Sequence, residues 1–551
     1  MTDSTSIPQE STQEHEQEDR LSKLPDDLKL ISDAVRTCVL SKRWRHLVGL
    51  LSEIVLDVAH YQPREVPSNY TLEELVQANV SVVNSAKSIL AHNSQHAITY
   101  LSIRFYLRDE SIDIVHSVDS AMAGRGVDRA EFIIISEMGD ESCTHHDKIT
   151  YGRRFMTFLD SYPRAFGGLT DLIIYNLRLD VSDIPNVLGT CKKLEYLYLQ
   201  NCDAGVRSVI QIEHSQLAEL VIVACPFEGI ELKWLPQLTH LTCQTWLPSR
   251  DSSCPLSFGY VPQLWDLILT NMASTFHHNV KLSELLRNSV LRKLELDFQS
   301  KEIYIQPEGP KRLGPLLKNL QTVILRFVHE NWHLTWTMFF LEAAPLLKEI
   351  NIHVWGHDCN SNEGDMYKLL FQKTSDDHLI WEAHNDFKHY NLSKLIIEGY
   401  QVEEKFTRYI RQVMESAVNL VLLSLIQSRP CANCGFCPST AYPQTDQERE
   451  GIKKQISEWR FPSVPTSIKG TSPSRRLRDQ LNLHTKRTRA HHLRASTARR
   501  LRAAGKTRLL MASPSCRRLV VPPAGHRLVA HRAGFAGEAP AGRRRPLPSR
   551  P

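Results

Sequence analysis

Leu194-Glu195-Tyr196-Leu197-Tyr198-Leu199 spaces three leucines as L-x-x-L-x-L, and the same spacing returns along most of the chain. It recurs at Leu217, Leu220 and Ile222, at Leu238, Leu241 and Cys243, at Leu264, Leu267 and Leu269, and at Leu291, Leu294 and Leu296. Further units are Leu320, Val323 and Leu325, then Leu347, Ile350 and Ile352, then Leu392, Leu395 and Ile397, then Leu420, Leu423 and Leu425. Leu169, Leu172 and Ile174 begin the clear series, and weaker units at Ile98, Leu101 and Ile103 and at Val127, Ala130 and Phe132 precede it. From Leu169 onward the first leucines are 25, 23, 21, 26, 27, 29, 27, 45 and 28 residues apart. The last two apolar positions of each unit alternate with other residues, as a short strand buried on one face requires.

Spacings of about 20–29 residues are those of leucine-rich repeats, so the expected fold is α/β, an irregular leucine-rich-repeat solenoid over residues 95–389. The 45-residue gap implies an insertion around Trp355–His389. Asn201-Cys202, Ala224-Cys225 and Asn271 stand where each chain should turn out of its strand, and there a side chain can satisfy backbone groups. If the strands stack in parallel, the residues between the buried positions line one inner face, the surface such solenoids use for partners. The candidates are Tyr196, Tyr198, Gln200, Glu219, Val221, His240, Thr242, Asp266, Ile268, Lys293, Glu295, Asp297, Thr322, Arg326, Glu349, Asn351 and His353. Tyrosines, isolated aliphatics and mixed charges suit a protein surface and make a poor phosphate track.

Charge divides the chain. Residues 471–551 carry 20 Lys/Arg against Asp479 and Glu538, and residues 1–470 carry 46 basic against 59 acidic residues. The tail has Phe535 as its one aromatic residue and no sustained apolar period, which implies disorder. Its arginine clusters without stacking aromatics promise only salt-sensitive, unspecific contact with nucleic acid. The polar, acidic first 18 residues lack the pattern of a signal peptide, and Ala417–Ile426 is far too short to span a bilayer. Cysteines scattered singly through the body fit buried reduced thiols. The expected compartment is the nucleus or the cytoplasm.

Asp19-Arg-Leu-Ser-Lys-Leu24-Pro25-Asp-Asp-Leu28, followed by Asp33-Ala-Val35-Arg-Thr-Cys-Val39-Leu40-Ser41-Lys-Arg-Trp44-Arg-His-Leu47, resembles the F-box of plant F-box/leucine-rich-repeat proteins over residues 19–58. The resemblance implies that Leu24, Pro25, Leu28, Val35, Val39, Leu40, Trp44 and Leu47 dock a Skp-type adaptor and through it a cullin-RING ubiquitin ligase, while the repeats choose the target protein. Only Lys-Leu-Ile-Ser-Asp separates Leu28 from Ala34, so most of the first F-box helix is missing. Residues 390–427, beginning Tyr390-Asn-Leu-Ser-Lys-Leu-Ile-Ile-Glu-Gly-Tyr400, resemble the FBD segment of the same family. The residue pattern itself gives strand, helix with Phe406, Ile410, Val413 and Ala417 on one face, then strand, expected to cap the solenoid.

Residues 428–470 form a Cys- and Pro-containing extension. Cys431, Cys434 and Cys437 are a weak metal candidate, because a fourth ligand is lacking until His484. No metal and no cofactor is expected. Gly505-Lys506-Thr507 has Arg500 where a phosphate-binding loop needs glycine. His145-His146 and His277-His278 read as surface pairs with diverging side chains. No catalytic constellation is legible, and the chain is expected to bind rather than to catalyse.

Overall fold

The computed structural model describes residues 51–62, 70–91, 97–205, 208–244, 256–270, 280–286, 290–300, 303–356, 381, 386–431, 442–458 and 465–469. Contacts divide the chain into Met1–Pro473 and Ser474–Pro551, and every described residue lies in the first unit.

In chain order the strands are β1 (Glu53–Asp57), β2 (Ile98–Tyr106), β3 (Val127–Ile135), β4 (Asp171–Tyr175), β5 (Tyr196–Gln200), β6 (Val209–Glu213), β7 (Glu219–Val223), β8 (Gly229–Trp234), β9 (His240–Gln244) and β10 (Leu256–Tyr260). There follow β11 (Asp266–Thr270), β12 (Val280–Lys281), β13 (Lys293–Asp297), β14 (Ile305–Gln306), β15 (Thr322–Val328), β16 (Glu349–Val354), β17 (Lys394–Glu398), β18 (Leu422–Ile426) and β19 (Thr466–Lys469). One sheet takes fourteen of them in the order β1-β2-β3-β4-β5-β7-β9-β11-β13-β15-β16-β17-β18-β19. Every pairing in it is parallel, as expected when each repeat returns the chain to the same side. The leucine rows are in register: Leu172, Leu197, Leu220, Leu241, Leu267, Leu294, Val323 and Ile350 face the same core and are essentially without solvent contact.

The backs of the repeats are of two kinds. Where the first leucines lie 21 to 26 residues apart, between Leu194 and Leu264, the return path holds extended segments, and β6, β8 and β10 form a second, three-stranded parallel sheet. The other units return through helices, among them Asp183–Thr190, Pro310–Leu317 and Glu404–Ser416. The last buries Phe406, Tyr409, Ile410, Val413 and Met414, the face anticipated from its periodicity.

Two boundaries drawn from the sequence move. Leu51-Ser-Glu-Ile54-Val-Leu56 is itself an L-x-x-L-x-L unit, and β1 pairs with β2 through Ile54–Leu101 and Leu56–Ile103. Residues 53–57 therefore belong to the sheet and not to the N-terminal module drawn to residue 58, because two buried aliphatics on one strand face need the sheet to cover them. At the other end the sheet does not stop at residue 427: β19, inside the extension drawn over 428–470, pairs with β18 through Ser424–Ser467 and Leu425–Ile468. A 19-residue helix, Leu72–Leu90, fills the stretch between β1 and β2; its start is a capping box in which Thr71 Oγ1 accepts from the Glu74 N–H and Glu74 Oε2 from the Thr71 N–H.

Turns out of the strands use the ladder positions. Asn176, Asn201 and Ala224 follow β4, β5 and β7 with φ of 60°, 52° and 52°. Each still donates its N–H to the neighbouring strand, at 2.9, 2.9 and 3.1 Å. Asn201 Nδ2 donates to Asn176 Oδ1 and to the Asp140 carbonyl, and the Cys202 N–H points at Cys225 Sγ, 3.3 Å away. Cys191, Cys202, Cys225 and Cys243 are buried thiols. Asn271 lies outside the described residues.

Candidate functional site: the open face of the sheet

The side of the main sheet away from the helical backs presents three rows, fixed by register. The first runs Ser102, Glu131, Asp171, Tyr196, Glu219, His240, Asp266, Lys293, Thr322, Glu349, Lys394. The second runs Arg104, Ile133, Ile173, Tyr198, Val221, Thr242, Ile268, Glu295, Ile324, Asn351, Ile396, and the third includes Tyr175, Gln200, Val223, Gln244, Thr270 and Asp297. Parallel strands about 4.8 Å apart make neighbours in a row into contact partners. All seventeen candidates named from the sequence fall on this one face, Arg326 and His353 at its third-row edge.

The face is not uniform. Over β3 to β7, Ile173, Tyr198 and Val221 are buried, with Ile133, Tyr175, Tyr196 and Val223 packed against them, as an apolar cluster separate from the main core. Tyr198 is only 2% exposed, because a ring between Ile173 and Val221 on a flat strand face is shielded by both. The Tyr175 and Tyr198 rings lie 5.6 Å apart at 50°. Tyr198 donates to Gln200, whose amide reaches Asp140 on the loop after β3. Burial raises the pKa values of Tyr175, Tyr196 and Tyr198, so all three are neutral phenols near pH 7.

Carboxylates gather beside this cluster. Arg129 bridges Asp171 at 3.2 Å and Glu195 at 3.1 Å. Glu131 Oε2 accepts from Tyr100 at 2.7 Å and from Ser102 at 2.6 Å, and its pKa is raised by burial, with the nearby Asp171 charge adding to the shift. Glu219 adjoins Tyr196 in the first row.

From β11 to β15 the charges pair with one another. Lys293 Nζ sits 3.1 Å from both Asp266 oxygens and 3.6 Å from Glu295, which also holds Arg326 Nε. Burial pushes Asp297 up to about 6, despite the hydrogen bonds it accepts from Gln299. His353 packs edge-on against Phe327 at 4.7 Å, and burial, with Arg326 and Arg429 near, lowers it to about 4.

Ile133, Asp171, Ile173 and Tyr175 also stand on this face without being among the seventeen candidates, although Leu169-Thr-Asp171-Leu172-Ile173-Ile174-Tyr175 can be read by the same alternation. Asp140 carries no such signal, since it comes from a loop. The adaptor candidates Leu24 to Leu47, together with Cys434 and Cys437, lie outside the described residues; Cys431 is a half-buried thiol. Among the described residues no group of three or more His, Cys, Asp or Glu is placed to hold a metal, and no helix is long and apolar enough to cross a membrane. His145 and His146 open a helix rather than lie in a strand, and His145 contacts Arg178.

The family comparison agrees with this architecture. Residues 162–457 match a family model described as At1g61320/AtMIF1, LRR domain. The F-box protein At3g60790 of Arabidopsis thaliana is 25% identical over 227 residues, an alignment covering 37% of this chain and 44% of that protein, so less than half of that relative's length is spanned. A solved structure of the Toll–Spatzle complex, a molecular hub in Drosophila development and innate immunity, aligns over 63% of this chain and 60% of its own at 11% identity, with a TM-score of 0.18.

Proposed function

From the premise that the chain belongs to the At1g61320/AtMIF1 leucine-rich-repeat domain family, we propose that it is a non-catalytic target receptor of an SCF-type ubiquitin ligase. The repeats take a target protein on the open face, and the N-terminal segment around Leu24–Leu47 joins a Skp-type adaptor and through it a cullin. The observation that carries this reading is a continuous face, eleven strands long in register, whose apolar and tyrosine-bearing stretch lies outside the main core. The partial similarity to an F-box protein supports the ligase half. Such a receptor accelerates modification by proximity, so the reacting groups belong to the partner enzyme. Residues 390–427 act as the penultimate part of the repeat stack.

A second reading has its own observation. The five residues between Leu28 and Ala34 leave most of one adaptor-contacting helix absent, which favours a repeat scaffold that no longer joins the ligase. Capture of the full chain by a purified Skp-type adaptor separates the two. Binding that is lost in Trp44→Ala, Leu47→Ala supports the receptor; binding only after the missing helix segment is restored supports the scaffold.

A further inference from the structure

We propose that the tyrosine-lined stretch of the open face over β3 to β7 receives an arginine or lysine side chain from a basic segment of the target protein. The inference rests on the reading that this face binds a protein, and it names the chemistry of that protein. Tyr175 and Tyr196 are half-buried, with Tyr198 forming the floor between them, so aromatic faces meet on a sheet surface rather than in the core. Phenol rings kept neutral attract a cation through their negative faces, more strongly when water is excluded.

The surrounding charge has the matching sign. Asp171 and Glu219 flank Tyr196 in the first row, Glu195 joins them through Arg129, and exposed Asp140 stands at the strand ends beside Gln200. Arg129 is engaged by Asp171 and Glu195 together and Arg104, near Tyr175, by Asp57 at 3.8 Å, so Asp140, Asp171, Glu195 and Glu219 still outnumber the cations beside the tyrosines. An acidic segment or a phosphorylated one would meet repulsion here. The other half of the face offers no such preference, because Lys293 and Arg326 neutralise Asp266 and Glu295.

The test is fluorescence anisotropy of the full chain at physiological salt with two labelled peptides, one alternating glycine and arginine and one alternating glycine and glutamate. The Arg-rich tail is common to every variant, so each comparison is of a variant with the parent chain. The Gly-Arg peptide is expected to bind the parent and Tyr196→Phe alike, which keeps the ring, and to bind Tyr196→Ala about tenfold more weakly. The Gly-Glu peptide should not distinguish parent from Tyr196→Ala. Unchanged Gly-Arg affinity in Tyr196→Ala, or an equal loss in Tyr196→Phe, overturns the inference. Should Tyr196→Ala lose its melting transition, Glu219→Lys decides instead: weakened Gly-Arg binding supports the site, and unaltered binding removes it. Adaptor capture with indifferent peptide binding overturns this inference alone, whereas peptide selectivity without adaptor capture overturns the ligase reading alone.

Discussion

His214 and His389 hold equivalent places in two distant repeats, each three residues before a repeat leucine. Nδ1 of His214 accepts from the N–H groups of Gln216 and Leu217, and its Nε2 lies 3.0 Å from the Cys191 carbonyl. His389 does the same with Asn391, Leu392 and the Ala344 carbonyl. Each ring ties the start of one repeat to the helix end of the one before, and burial lowers both pKa values below the ordinary 6.5. The folded rings are neutral, so their contribution is whole above 6.5 and is lost as pH falls below it, where the unfolded chain takes up protons first. Denaturant midpoints should therefore drop between neutral pH and about pH 5, and His214→Asn, an acceptor that does not titrate, should flatten part of that slope. Ala224 gives a second test at this scale. It adopts the left-handed conformation that its ladder neighbours fill with asparagine, and Ala224→Asn is expected to raise stability by up to about 1 kcal/mol in equilibrium unfolding.

At the scale of elements, Asn79 shows how the first helix is fixed to the sheet. It is fully buried on the helix Leu72–Leu90, donates to Ser111 Oγ at 2.8 Å and accepts from the Tyr106 N–H at 2.9 Å. Truncation strands the Tyr106 N–H in the interior, while Ser111 Oγ keeps its bond to the Tyr106 carbonyl, so Asn79→Ala should cost about 1–3 kcal/mol in urea unfolding, well above the change for an exposed asparagine on the same chain. From sequence this residue looks like any polar position in a helix. The tertiary fold makes it a joint, because only packing brings residues 79, 106 and 111 together.

Across the whole molecule, stability is a sum of neighbouring repeats, and a broken rung in the middle separates the two sides. Thr242 lies on the open face of β9, pairing with Val221 on one side and Ile268 on the other, so its side chain is not part of the main core. Thr242→Pro removes one backbone donor and should cost about 3 kcal/mol or more, and should split thermal unfolding followed by circular dichroism into two transitions. An unchanged single transition would mean that the sheet unfolds as one cooperative block.

What the sequence determined by itself was the parallel stack from Leu169 to Leu425 and which residues share its open face, because a period of two within each unit admits only one buried side. The charge contrast between residues 1–470 and 471–551 was equally legible. The outer strands β1 and β19 emerged only in three dimensions: one unit was hidden behind a motif boundary, and the other has too few aliphatics to announce itself. Burial of Tyr198, the mutual neutralisation of Lys293, Glu295 and Arg326, and the closeness of Asp140 to Gln200 were likewise decided by the tertiary structure. Those facts depend on which strands become neighbours, and adjacency across 20 or more residues is set by packing rather than by any local pattern.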